Sequence, residues 1–169
     1  ETAMTTADPT NATASALYLS GDEGQGVSKG ALAIFFGIAA IYIGFRFWDL
    51  TGSSLWFDEI FAMRIARLPW SELFPTLAAD KTTPPLFYAV LKVWIAIGGE
   101  SLLWLKLLPF AISVLTLVPF FFLCRELRLS GFGMNLALAM MAPNSFLINY
   151  SQELRMYSML MLFTTVSVW

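Results

Sequence analysis

The sequence predicts an all-α protein built of polytopic membrane helices, with juxtamembrane amphipathic helices in its first external loop. Three observations predict this fold class. Of 169 residues, 57% are hydrophobic and 13% are charged, against about 25% charged in a soluble domain. Those apolar residues fall in long runs that a body of this size cannot hide in one core. The runs also have the length of membrane spans and are separated by short charged segments.

Residues 1–29 are rich in Thr, Ala, Ser and Gly, a composition that buries too little apolar surface to fold and predicts a disordered tail. Its one cation is Lys29, so it lacks the basic start of a signal peptide. Asn11-Ala12-Thr13 fits the glycosylation sequon. Residues 30–169 read as the N-terminal part of a transmembrane domain. A first span is expected at about 30–48, with Arg46 snorkelling to the interface beside Trp48. The segment 49–100 is too charged to cross lipid and is expected to be the external loop. Within it, Asp58 to Leu68 reads as an amphipathic helix with acids first and Arg64 and Arg67 last, as the helix dipole favours. Pro69 ends that helix, and Ser71 to Ala79 forms a second.

Pro84 to Ile97 is apolar but only about fourteen residues long, which suits a re-entrant or interfacial helix better than a span. Further spans are expected at about 101–124 and 131–150, with a last one, 156–169, truncated at Trp169. The chain opens on Glu1 and closes inside an apolar run, so a fragment of a longer protein is expected. If 84–97 does not cross, the Asp58 and Glu153 regions fall on the same side of the membrane. Arg125 and Arg128 lie in a short loop, where positive charge marks the cytoplasmic side.

Composition also excludes chemistries. With no histidine and a single cysteine, the chain has no Ser-His-Asp triad, no HExxH zinc site and no internal disulfide. Any metal would be held by oxygen ligands. A net charge of −2 offers no basic surface for nucleic acid.

Three segments carry candidate chemistry. Trp56-Phe57-Asp58-Glu59 sets two carboxylates just outside the first span. They read either as favourable charge at a helix N-terminus, or as a divalent-metal ligand or a general base whose basicity is raised at a half-dry boundary. Tyr150-Ser151-Gln152-Glu153-Leu154-Arg155-Met156-Tyr157 places an acid and a base between two apolar runs with almost no loop. Charges there are costly unless paired or facing a wet cavity. Asp80-Lys81-Thr82-Thr83-Pro84-Pro85-Leu86-Phe87-Tyr88 is a polar loop leading into a helix, where proline is well placed. The phenylalanines at 120–122 read as packing.

Together these segments resemble glycosyltransferase family 39, the dolichyl-phosphate-mannose protein mannosyltransferase-like enzymes of the C-type glycosyltransferase superfamily. The resemblance covers about residues 30–169 and is most specific at Tyr150–Tyr157. Thr83 stands where the family often has histidine, and Leu154 where it commonly has alanine. The resemblance implies a multi-pass enzyme of the cell membrane with an extracytoplasmic active face. It would move a sugar, with inversion, from a polyprenyl-phosphate donor to a hydroxyl or amine of a protein, lipid or glycan acceptor. By position it implies Asp58, Glu59 and Glu153 as catalytic acids, with Arg155, Tyr157, Lys81 and Tyr88 on the substrate. Glu153 either orients Arg155 or joins Asp58 around a divalent metal ion, and the sequence leaves both open. A transporter or channel module and a noncatalytic membrane subunit are the competing readings.

Overall fold

The computed structural model describes residues 27–79 and 84–169. Among them it contains helices and turns and no strand. The tail through residue 26, its sequon, and Asp80 to Thr83 with Lys81 lie outside the described residues.

Helix α1 (Lys29–Phe47) starts where Ser28 Oγ accepts from the Ala31 N–H at 3.1 Å, which satisfies one orphan donor of the first turn. After it the chain turns at Asp49, which adopts a left-handed φ of 55°, a conformation that Asp tolerates better than most residues. Helix α2 (Phe57–Arg67) has Asp58 and Glu59 in its first turn and Arg64 and Arg67 in its last, so both ends match the dipole. Helix α3 (Trp70–Ala79) follows directly after Pro69.

Helix α4 (Pro85–Gly98) begins with proline at its first position. Its 14 residues rise about 21 Å, short of the roughly 30 Å of a bilayer core. Lys92, mid-helix, caps its neighbour: its ammonium donates to the carbonyls of Ala66 and Leu68 at 3.2 and 2.6 Å, closing the C-terminal end of α2. Arg67 forks onto Glu100, with Nε to Oε1 at 2.8 Å. The turn into helix α5 (Leu102–Leu115) is clasped by two tryptophans. Trp94 Nε1 donates to the Trp104 carbonyl at 2.7 Å, Trp104 Nε1 donates to the Trp94 carbonyl at 2.8 Å, and the rings stack with centroids 4.3 Å apart. Gly98 makes room for this clasp, because a Cβ there would lie 2.1 Å from the Trp104 ring.

Helix α5 continues through Thr116 into α6 (Leu117–Glu126). Lys29–Phe47 and Leu102–Glu126 are each long and apolar enough to cross a membrane. The span expected at 131–150 is broken. Helix α7 (Gly131–Met141) and helix α8 (Ser145–Gln152) meet at a 65° bend. Pro143 lacks the N–H that would continue α7, and Asn144 restarts the chain as a cap, its Oδ1 accepting from the Leu147 N–H at 3.1 Å. Counting this pair as one span makes three. Helix α9 (Tyr157–Val168) has 12 residues and falls short of a span.

Long-range bonds fix the arrangement. Asn135 Nδ2 donates to the Ala31 carbonyl at 3.1 Å, joining the starts of α7 and α1. Gln152 Nε2 donates to the carbonyls of Arg46 and Trp48 at 3.0 and 2.9 Å, joining the ends of α8 and α1. The α7–α8 pair therefore runs parallel to α1. One apolar core, with Phe35, Tyr42, Cys124, Met134 and Leu138, fills the space between α1, α6 and α7. A second, with Ala62, Leu73, Phe87, Leu91, Leu105 and Leu154, gathers α2 to α5 and the turn before α9.

Arg46 does not snorkel. It is 0% exposed and lies over the Tyr42 ring, 3.3 Å from its centroid. Its guanidinium donates to Ser113 Oγ at 3.1 Å and to the carbonyls of Tyr42, Ala142 and Met141 at 3.2, 3.3 and 3.4 Å. The break after α7 frees carbonyls of its last turn; Arg46 donates to those of Ala142 and Met141, and the latter also accepts from the Asn144 N–H at 3.4 Å.

Candidate functional site

The charged residues of the two acidic segments meet at the end of the bundle where α1 stops, α5 starts and α8 stops. Arg155 Nη1 bonds Asp58 Oδ2 at 3.0 Å, across 97 residues of chain. The Asp58 side chain is 58% exposed and that of Arg155 32%, so the pair faces outward.

Glu59 lies behind it, 2% exposed. Its Oε2 accepts from the Trp56 N–H at 2.9 Å and its Oε1 from the Leu154 N–H at 2.6 Å. The first bond caps α2 in the manner of an acid three residues past the N-cap. The second ties α2 to the turn between α8 and α9. Both oxygens are therefore occupied by backbone donors, and Glu59, expected among the catalytic acids, holds the scaffold of the site.

Glu153 is half-buried between these groups. Burial pushes its carboxyl above the usual carboxylate range, and the nearby negative charges of Glu59 and Asp58 push it further, against the pull of Arg155 and Lys106. Its neighbours in sequence are committed: Gln152 caps α1, and Leu154 is fully buried.

Tyr157 stands beside the ion pair. Its ring centroid lies 5.2 Å from the Arg155 guanidinium carbon and 4.2 Å from the centroid of the Tyr150 ring. These two tyrosines line one edge of a largely apolar cavity of about 460 Å³, whose other walls include Phe120, Met141, Phe146 and Met161. Tyr88 is buried in the core beside Phe87, with ring centroids 5.7 Å apart, and is not among the residues that line this cavity. Lys81 lies outside the described residues.

Lys106 is the group that sequence reading passed over. It sits in an otherwise uncharged helix, α5, is 2% exposed, and donates to Ser53 Oγ at 2.8 Å. A lone lysine in an apolar run was the available signal, since an ionisable residue there is expected to face a polar interior.

Among the described residues no group of three or more Cys, Asp or Glu side chains is arranged to hold a metal ion. Comparison of the chain with protein-family models, with curated proteins and with solved structures finds no match.

Proposed function

We propose that this chain is part of a polytopic membrane glycosyltransferase that moves a sugar from a polyprenyl-phosphate donor to an acceptor hydroxyl or amine at the extracytoplasmic face of the cell membrane. The observation that supports this reading most is the Asp58–Arg155 pair at 3.0 Å. It joins an exposed carboxylate to the planar cation best suited to a phosphate, beside a partly buried second acid.

In this reading the acceptor hydroxyl attacks the anomeric carbon while Asp58 takes its proton. The bond to the phosphate oxygen breaks, and the polyprenyl phosphate leaves as an anion on Arg155. A single displacement of this kind inverts the anomeric centre, and a positioned base contributes about 10²–10⁴ in rate. A donor phosphate arriving at Arg155 competes with Asp58 for the guanidinium, so donor binding frees the base. The loop holding Arg125 and Arg128 lies at the opposite end of the bundle, and its charge supports a cytoplasmic location for that end.

The test uses the full-length protein in proteoliposomes supplied with polyprenyl-phosphate-mannose and candidate acceptors. Asp58→Asn is expected to lower transfer at least a hundredfold while donor binding persists. Near-normal transfer by Asp58→Asn would remove Asp58 from the role.

One observation favours the competing reading of a transporter or channel module, because broken helices and buried charges mark such proteins. Here the 65° break carries Arg46 on its freed carbonyls, so the break is satisfied internally and leaves fewer carbonyls for a passing ion. Solute flux in the same vesicles without any transfer would favour that reading; absence of both activities would favour a noncatalytic subunit.

A further inference from the structure

Helix α2 carries two apolar faces. Ala62, Met63, Ile65 and Ala66 pack into the core. On the other side Phe57, Ile60 and Phe61 are exposed, at a spacing that sets them in one stripe, and exposed Arg64 extends the stripe by a further turn. Phe57 is 82% exposed, and Trp56 before it 72%. A contiguous apolar patch of this kind marks a contact surface.

Two sets of bonds fix where the stripe lies. Glu59, in the first turn of α2, accepts from the Leu154 N–H. Two residues earlier, Gln152 donates to the carbonyls of Arg46 and Trp48 at the end of α1. The first turn of α2 therefore lies beside the end of a helix long and apolar enough to cross a membrane, near the exposed ring of Trp48. That is the level at which hydrocarbon gives way to headgroups and at which tryptophan concentrates. The other cations around α2 are engaged: Arg67 on Glu100, Lys92 on the Ala66 and Leu68 carbonyls, and Arg155 on Asp58. Arg64 has no bonded partner among the described residues. A guanidinium set among exposed aromatic and aliphatic side chains has the chemistry of a headgroup contact, since its planar fork matches a phosphate.

We propose that the Phe57, Ile60, Phe61 and Arg64 stripe of α2 is a binding surface for anionic phospholipid. The apolar side chains enter the acyl boundary of the bilayer, and Arg64 holds a headgroup phosphate. Helix α2 is then packed between the protein core on one side and lipid on the other, which accounts for its two apolar faces. The inference depends on α1 lying in a membrane and not on sugar transfer, so its test and the transfer assay succeed or fail separately.

The experiment places the full-length protein in phosphatidylcholine nanodiscs with a fluorophore attached through Ile60→Cys; the native Cys124 is buried and stays in place. Trace phosphatidylcholine or phosphatidylglycerol carrying a nitroxide on the acyl chain is then added as quencher. Both lipids are expected to quench the label, and phosphatidylglycerol more strongly at equal amounts. Arg64→Gln is expected to cut the preference for phosphatidylglycerol about fivefold, and Arg64→Lys to retain part of it. Quenching by iodide from water and by neither lipid overturns the proposal, as does a label shielded from all three by a second copy or a partner protein. Equal quenching by the two lipids, or a preference that survives Arg64→Gln, overturns it as well. Phe57→Cys carries the label if Ile60→Cys does not fold.

Discussion

The backbone N–H of Leu154 donates to Glu59 Oε1 at 2.6 Å, across 95 residues of chain. The same carboxylate caps α2 through the Trp56 N–H, so one buried side chain fixes both the start of α2 and the turn that carries Glu153 and Arg155. Asp58 precedes Glu59 and Arg155 follows Leu154. Their ion pair is therefore the outward consequence of an inner clamp.

Glu59→Ala is expected to leave two backbone donors without their acceptor, at a cost of about 1–3 kcal/mol for each buried group. Thermal unfolding in detergent should show a clear loss, and Glu59→Gln, which keeps one acceptor oxygen, a smaller one. Transfer should fall in both through displacement of Asp58 and Arg155. An Ala variant as stable as the parent would mean that the clamp contributes nothing.

Glu153 gives a pH dependence of defined sign. Its folded carboxyl is held above the ordinary range, chiefly by burial, so the native state keeps that proton at pH values where the unfolded chain has lost it. Stability is unaffected below the ordinary glutamate midpoint of about 4.3 and falls as pH rises through the raised folded midpoint. Glu153→Gln is expected to raise the unfolding temperature at about pH 7 and to change it little at about pH 4. An equal change at both would contradict the assignment.

Arg155→Ala removes the cation from Asp58 and, in the proposed reading, from the donor phosphate as well. Charge-assisted bonds contribute about 1.5–3 kcal/mol, which corresponds to a rise in donor KM of roughly ten- to a hundredfold. Arg155→Lys, lacking the planar fork, should recover part of that loss. Donor titrations in proteoliposomes measure both, and an unaltered KM in Arg155→Ala would remove the phosphate contact.

The Trp94–Trp104 clasp should be cooperative. Each reciprocal bond contributes about 1 kcal/mol, and the stacked rings add about 0.5–1.5 kcal/mol. Trp94→Phe and Trp104→Phe are each expected to lower stability by about 1 kcal/mol and, as contacting residues, to couple in a double-mutant cycle. Gly98→Ala should mimic their loss, because its methyl group meets the Trp104 ring. Additive single variants would show two independent bonds.

Much of the fold is legible in local pattern. The start and end of α2 follow from Asp58, Glu59, Arg64, Arg67 and Pro69, and the start of α4 from the proline pair. The division of 131–150 into two helices was announced only by Pro143 and Asn144, because hydropathy is blind to backbone hydrogen bonding. The structure joins Asp58 to Arg155, a juxtaposition anticipated only if 84–97 did not cross. The fates of individual charges were hidden, since each depends on a partner distant in sequence. Arg46 looked like a surface cation and is buried on carbonyls of Met141 and Ala142. Lys92, in the middle of an apolar helix, closes the end of α2.

Arg46 also joins parts of the chain that are made far apart in time. During synthesis α1 emerges long before its partners, and 96 residues separate Arg46 from the Ala142 carbonyl that it binds. Its acceptors on Met141 and Ala142 arrive only with the end of α7, so the guanidinium carried by the first helix completes its set of bonds only after most of the chain has been made.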